Sequence, residues 1–238
     1  MPANPLLPLP TAPLLLVSHG PIVGPPLCCD ADYTAFIRLL TAGARRCRIE
    51  IYAYALMSWQ VQFLIEVSDA ADVSRLMTWL QRGYRRYRGN RVSRYRESES
   101  MNYQSCWVER ESFLGQCARF IAWLPVGAGL AATPAAYKWS SHGAQPSRDI
   151  EPVVTRSFSL PALEPPSPSM TRRIGHALTH GYPLGSASFR AAIEDTVDVD
   201  RQRFLKPRAA CARTYPRVIG APTRVHDTVD GGSGIARG

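Results

Sequence analysis

The hydrophobic pattern in the N-terminal part of the chain predicts three β-strands. A short apolar run, "PLLLVSH", has the length of one strand and ends a proline-rich segment. The segment "CRIEIYAYALM" alternates with a period of two, which places Ile49, Ile51, Ala53 and Ala55 on one face. The next segment, "SWQVQFLIEV", is predicted to be its hairpin partner.

Three further segments carry apolar residues at helical spacing. Asp30 is predicted to cap the first helix, Asp72 or Ser74 the second and Ser112 the third, which Pro125 would end. The apolar stripes of these helices are Tyr33, Phe36, Ile37, Leu40 and Ala44; Leu76, Met77 and Leu80; and Phe113, Leu114, Cys117, Phe120 and Ile121. The order of elements predicts an α+β fold in which helices flank an antiparallel β-sheet, with irregular N- and C-terminal extensions.

Changes in composition divide the chain into segments. Residues 1–13 are predicted to form a proline-rich arm and 14–146 a compact domain. Residues 147–171, with "LPALEPPSPSM", are predicted to be a linker, and 172–206, with "SASFRAAIED", a short helical segment. Residues 207–238 are predicted to be a disordered tail.

The predicted third strand contains an unusual pair of polar residues. Gln60 and Gln62 lie two positions apart, so both amides point to the same face of the strand. The opposite face is apolar, with Val61, Phe63, Ile65 and Val67. Two amides side by side in an otherwise buried strand are either hydrogen-bonded core residues or the remains of a chemical site.

The composition favours an anionic partner. The chain of 238 residues has a net charge of +9, and all its basic residues except Lys138 and Lys206 are arginines. Nucleic acid and an acidic membrane surface both fit this charge, and a solvated basic face is the alternative. The six cysteines lack the CxxC spacing of a zinc site, and prolines interrupt the apolar N-terminal run. We therefore predict a cytoplasmic protein without a signal peptide or membrane span.

One stretch concentrates arginine and tyrosine. It contains Arg82, Tyr84, Arg85, Arg86, Tyr87, Arg88, Arg91, Arg94, Tyr95 and Arg96, with no acidic residue among them. Arginine forks match phosphate oxygens and tyrosine rings stack on unpaired bases, so the stretch is predicted to bind DNA. In the alternative interpretation it is a solvated helix whose tyrosines pack inward.

Several segments in order resemble the REP-associated tyrosine transposases, which belong to the HUH single-tyrosine transposases of bacterial insertion sequences. They are "YAYALMSWQVQFLIEV", "RLMTWLQRGYRRYR", "YQSCWVERESFLGQCARFIAWLPVGAGL", "PAAYKWSSHGA" and "GYPLGSASFRAAIE". The resemblance implies a ferredoxin-like HUH transposase domain at 14–146 that binds single-stranded or hairpin DNA. It also implies cleavage by a tyrosine, through a covalent 5′-phosphotyrosine, with the help of Mg²⁺ or Mn²⁺.

This chain departs from the family pattern at the positions that carry the chemistry. The family pattern M-P-N-H-V-H-L-L has two metal-binding histidines, and Gln60 and Gln62 occupy those positions here. The pattern R-Y-I-E-L-N-P-V-R-A-G contains the nucleophilic tyrosine, and the chain has "RFIAWLPVGAG", with Phe120 at that position. Leu124 stands where the family has a possible third metal ligand.

These replacements predict a DNA-binding protein without strand cleavage. Phenylalanine has no oxygen to attack phosphorus, and two neutral amides are poor ligands for a divalent cation, so no cofactor is predicted for this chain. The partner is single-stranded or hairpin DNA, with the protein a monomer or a dimer. Two alternatives stay open: an active nicking enzyme that uses another tyrosine, such as Tyr103 or Tyr95, and a decaying transposase copy without a function.

Overall fold

The computed structural model describes residues 12–19, 27–89, 103–143, 153–154 and 164–197. Within them, four strands and five helices follow one another as β1 (Pro13–His19), α1 (Asp30–Arg46), β2 (Glu50–Met57), β3 (Gln60–Glu66), α2 (Ala70–Arg88), β4 (Tyr103–Trp107), α3 (Arg110–Gly127), α4 (Pro168–His180) and α5 (Ala187–Val197). A 3₁₀ turn, Pro134–Ala136, follows α3.

The four strands form one antiparallel sheet in the order β2-β3-β1-β4. Helix α1 packs along α2, and the hydroxyl of Tyr103 lies 3.5 Å from Ser74 Oγ of α2. Helix α3 lies mainly over β2 on the other face, and α4 packs against β4, β1 and α3. The predicted α+β fold, an antiparallel sheet flanked by helices, is confirmed.

A β-bulge changes which side chains of β2 share a face. Ile51 pairs with Ile65, but Ala53 pairs with Leu64, which leaves Tyr52 as the extra residue. Because Ile65 and Leu64 point to opposite faces, Ile51 and Ala53 do too. The predicted single face of Ile49, Ile51, Ala53 and Ala55 is therefore wrong at the bulge, which alternation along one strand cannot reveal.

The N-cap of each of the first three helices lies before the predicted one. The N-caps are Cys29, Asp69 and Glu109, and only Asp69 uses its side chain, whose carboxylate accepts a hydrogen bond of 2.8 Å from the amide of Ala71. Asp30, Asp72 or Ser74, and Ser112 were the predicted caps, and all of them lie inside the helices. Several capping residue types cluster near each helix start, so composition alone does not choose among them.

Pro125 lies inside α3 and does not end it. The helix continues to Gly127, and both Leu124 and Pro125 are buried. A proline there removes one backbone hydrogen bond, a cost that the packing of the last turn against the core offsets. The prediction that the helix stops at Pro125 is therefore wrong.

Strand β4 was absent from the sequence prediction, and helix α4 begins earlier than the predicted helical segment. Strand β4 is five residues long and begins with the polar pattern Tyr-Gln-Ser, so it lacks a strong hydrophobic signal. Helix α4 begins at Pro168, inside the predicted linker 147–171, but most of it lies in the predicted helical segment 172–206. Leu184 follows α4, and its amide donates a 2.8 Å hydrogen bond to the carbonyl of Trp107. Its carbonyl accepts a 2.8 Å hydrogen bond from the amide of Glu109, so the C-terminal segment packs on the sheet. The predicted tail, 207–238, and most of the arm, 1–13, lie outside the described residues.

Both faces of the sheet are buried between helices. Every residue of β2 and β3 is buried except their terminal glutamates, Glu50 and Glu66. No helix in the described ranges is long and apolar enough to cross a membrane.

Candidate functional site: a buried amide pair and a basic helix

The two glutamines lie on β3, which is an inner strand of the sheet. Gln60 is 5% exposed and Gln62 is completely buried. The Nε2 of Gln60 donates a hydrogen bond of 3.4 Å to Oε1 of Gln62. Within the described part of the chain, the Nε2 of Gln62 has no hydrogen-bond partner, although an unpaired buried donor costs about 1–3 kcal/mol.

The amide pair faces the helical layer that contains α3. Residues of β3 at spacing two share a face, so Gln62 points to the same side as Glu66. Glu66 accepts a hydrogen bond of 2.5 Å from Arg110, the first residue of α3. The glutamines and α3 therefore lie on the same side of the sheet.

Phe120 and Leu124 both belong to α3, the helix whose first residue contacts Glu66. Both side chains are buried. The predicted nucleophile position and the predicted third metal position are therefore apolar core residues of this helix.

This set of side chains does not fit a divalent cation. The carbonyl oxygen of Gln62 accepts from Gln60, and the unpaired group is an N–H donor, which repels a cation. The described residues contain no cluster of three or more His, Cys, Asp or Glu side chains. Hard cations require several oxygen ligands, with carboxylates prominent among them. Of the predicted metal positions, Gln60 and Gln62 thus form a hydrogen-bonded pair on β3, and Leu124 is a buried aliphatic side chain of α3.

The structure places neither of the two alternative nucleophiles, Tyr103 and Tyr95, beside the glutamines. Tyr103 points to the other face of the sheet, where its hydroxyl lies near Ser74 of α2. Tyr95 lies outside the described residues. The phenol of Tyr52 is on the α3 side, but it donates to Glu66 and accepts from Arg110, and burial raises its pKa.

The Tyr52–Glu66–Arg110 cluster is a feature that sequence analysis missed. It joins the bulge of β2, the end of β3 and the start of α3, and the Arg110 guanidinium also lies 5.7 Å from the Tyr52 ring centroid. The three residues are far apart in sequence, so no local pattern indicates them. The cluster holds the helix that carries Phe120 in place on the sheet.

The basic stretch divides into exposed and structural residues. Arg82, Arg85 and Arg86 are exposed on α2, and none of them pairs with an acid among the described residues. Tyr84 is 2% exposed and packs edge-on against Phe36, with ring centroids 5.8 Å apart. Burial raises the pKa of its phenol. The prediction that Tyr84 contacts DNA is wrong in this conformation, because its ring lies in the core.

Arg88 also has a structural role. Its Nη1 donates to both carboxylate oxygens of Asp32 at 2.9 Å, which connects the end of α2 to the start of α1. Tyr87, 42% exposed, directs its hydroxyl toward the same carboxylate at 3.4 Å. Arg88 is thus already paired, whereas the ring of Tyr87 stays accessible. Arg91, Arg94 and Arg96, also predicted to bind DNA, lie outside the described residues.

An open groove of about 910 Å³ runs between α1 and α2. Its lining includes four arginines, Arg46, Arg75, Arg82 and Arg86, together with the rings of Trp79 and Tyr87. Arg46 and Trp79 were not predicted as site residues, because they belong to different helices and neither lies in the basic stretch.

Comparison with known proteins gives a distant likeness in fold to a solved structure. No family model matches the chain, and no curated protein matches it. A solved structure of a REP-associated tyrosine transposase bound to a REP hairpin is similar at 11% identity, with a TM-score of 0.47. The similarity covers 67% of this chain and 96% of that one. A likeness this distant bears on neither activity nor ligand.

Proposed function

We propose that this protein binds DNA in single-stranded or hairpin form and does not cleave it. The observation that carries the proposal is the exposed group Arg82, Arg85 and Arg86, which projects from little more than one turn of α2. Like charges this close repel one another, and an anion that bridges them relieves the repulsion. Arginine forks donate to phosphate oxygens in pairs, which makes a phosphate backbone a suitable partner.

The residue types at the predicted catalytic positions support the absence of cleavage. The resemblance to tyrosine transposases assigns the nucleophile position to Phe120, whose ring has no nucleophilic atom. The glutamines at the histidine positions form a hydrogen bond with each other, and neither of them offers a carboxylate ligand. The proposal is therefore a transposase-like fold that retains DNA binding after losing strand-transfer chemistry.

Salt dependence of binding tests the proposal. We expect labelled single-stranded and hairpin DNA to bind with a log–log salt slope of about −0.7 for each neutralised phosphate. Replacing Arg82, Arg85 and Arg86 by alanine should flatten the slope by about 2, since three contacts are lost. A charge-matched control replaces the exposed Arg38, Arg172 and Arg190. Equal effects of the two triple variants would show that net charge alone attracts DNA.

A second assay tests the loss of chemistry. The unmodified protein should form no covalent adduct with hairpin DNA on a denaturing gel, with Mg²⁺ or with Mn²⁺. An adduct would overturn the inactive-enzyme proposal, and mapping the modified residue would identify the nucleophile.

A further inference from the structure

The groove between α1 and α2 has an apolar floor and basic walls. Leu39, Trp79 and Gly83 form part of its floor. Gly83 lets the helices approach closely, because a Cβ there would lie 2.5 Å from Cδ2 of Leu39. Arg46 stands on the α1 wall, and Arg82 stands on the α2 wall. This arrangement offers contact to a flat apolar group below and to anions on both sides.

The Trp79 ring is held in a fixed position. Its Nε1 donates a hydrogen bond of 3.0 Å to the carbonyl of Leu39, and the guanidinium of Arg46 lies 5.5 Å from the ring centroid. A ring fixed in this way loses little conformational entropy when a ligand packs on it. The neighbouring ring of Tyr87 is exposed at the end of the groove.

The charge of the groove is unbalanced. Among the described residues, no acidic side chain lines it. Arg75 is neutralised by Asp72 at 2.5 Å and Asp69 at 3.6 Å. Arg46, Arg82 and Arg86 have no acidic partner in the part of the chain that the structure describes. Arg82 and Arg86 are one turn apart, about 6 Å along α2. These three arginines, which lack an acidic partner in the described ranges, stand on two facing walls of the groove and can each donate to a phosphate.

We propose that this groove binds one unpaired strand of DNA, with phosphates on Arg46, Arg82 and Arg86 and bases against Trp79 and Tyr87. The inference rests on the proposed function and assigns the DNA-binding surface to this groove. Stacking on aromatic rings requires unpaired bases, which a duplex does not offer, so a single strand fits this lining better. The groove lies in the α1–α2 layer, so the strand binds on the opposite side of the sheet from the amide pair.

Two alanine variants of α1 provide the test. Arg46 and Arg38 are both exposed arginines of α1, but only Arg46 lines the groove. Binding of a labelled oligothymidylate, measured by fluorescence anisotropy, should weaken about tenfold in Arg46→Ala and hardly change in Arg38→Ala. Arg46→Lys keeps the charge over Trp79 and should recover most of the affinity. Thermal melting of each variant checks that the fold is intact.

The probes separate failure of the groove from failure of DNA binding. Equal affinity for a duplex of the same length would overturn the proposal that the groove binds an unpaired strand, and so would equal effects of Arg46→Ala and Arg38→Ala. Either result would leave the proposal of DNA binding in place. Competition by free thymidine monophosphate at concentrations near those of the oligonucleotide would indicate a nucleotide pocket and also overturn the strand proposal. If no DNA probe binds even at low salt, the proposed function itself is wrong.

Discussion

Asp32 connects two helix ends at the residue scale. Its side chain is 3% exposed and accepts hydrogen bonds from the Cys28 amide at 3.0 Å and from Arg88 at 2.9 Å. Burial by itself raises the pKa of this carboxyl, but the hydrogen bonds from Cys28 and Arg88 outweigh it and hold the pKa below its usual value of 3.8. The ionised form is thus favoured in the folded protein.

We expect Asp32→Asn to destabilise the protein by about 1–3 kcal/mol near neutral pH, because Arg88 loses its anion in a partly buried position. A lowered pKa contributes stability that is present above the unfolded value, near pH 4, and is lost as the pH falls through the folded value. The difference between wild type and variant should therefore shrink below about pH 4. Urea unfolding between pH 2.5 and 7, roughly the range that spans this titration, measures it.

Asp30 supplies the control for this prediction. It lies in the same first turn of α1, but its pair with Lys138 is exposed. Asp30→Asn should change stability by about 0–1 kcal/mol. A loss as large in Asp30→Asn as in Asp32→Asn would mean that charge at the helix start, and not the Arg88 contact, is responsible.

At the element scale, glycine sets the packing of α1 against α2. A Cβ on Gly43 would lie 2.6 Å from Cδ1 of Trp79 and 2.8 Å from Cδ1 of Leu76. Leu76 is completely buried and Trp79 is held by its hydrogen bond to Leu39, so neither side chain can move aside cheaply. The close approach of the two helices therefore depends on the missing side chain.

Gly43→Ala should destabilise the protein by about 1–3 kcal/mol through overpacking, despite the better helix propensity of alanine. Gly115→Ala is the matched control, because nothing lies within 4 Å of a Cβ at that position of α3. It should stabilise the protein by about 0.5–1 kcal/mol. Chemical denaturation measures the free energy of unfolding of both variants. A Gly43→Ala variant more stable than the wild type would contradict the prediction, because it would show that α1 and α2 can move apart without a loss of stability.

At the scale of the whole molecule, the sheet separates two surfaces. The α1–α2 layer carries Arg82, Arg85, Arg86 and the groove, whereas Gln60 and Gln62 face the layer of α3, the helix that carries Phe120. Residues of the second set come from two elements that are distant in sequence. Any restored chemistry would require β3 and α3 to supply their groups together.

Restoring one element should therefore not restore activity. Phe120→Tyr returns a phenol whose pKa, near 10, leaves it protonated, and Gln60→His with Gln62→His returns ligands without a nucleophile. We expect no covalent adduct with hairpin DNA and Mn²⁺ from either variant, and at most a trace from the triple variant. A strong adduct from Phe120→Tyr alone would contradict this, since it would show that the glutamines suffice.

Much of the fold could be predicted because its signals are local. The strands β1, β2 and β3 follow the hydrophobic pattern, and the fold class follows from the order of elements. The misses have physical causes: β4 is short and polar at its start, Pro125 is tolerated inside a packed helix, and the bulge at Tyr52 depends on its partner strand. For the candidate site, the sequence predicts the residue types at the positions of Gln60, Gln62 and Phe120, and the activity of this set stays a prediction.

The sequence by itself determined the residues available to the chemistry: a phenylalanine has no hydroxyl and a glutamine no imidazole, whatever the fold. Tertiary structure alone decided which arginines and tyrosines are accessible. Tyr84 and Arg88 lie in the same stretch as Arg85 and Tyr87, yet the first packs on Phe36 and the second pairs with Asp32. Tertiary structure also brought Arg46 to the basic helix. Burial and ion pairing depend on elements distant in sequence, and for that reason a local charge pattern cannot distinguish a binding residue from a structural one.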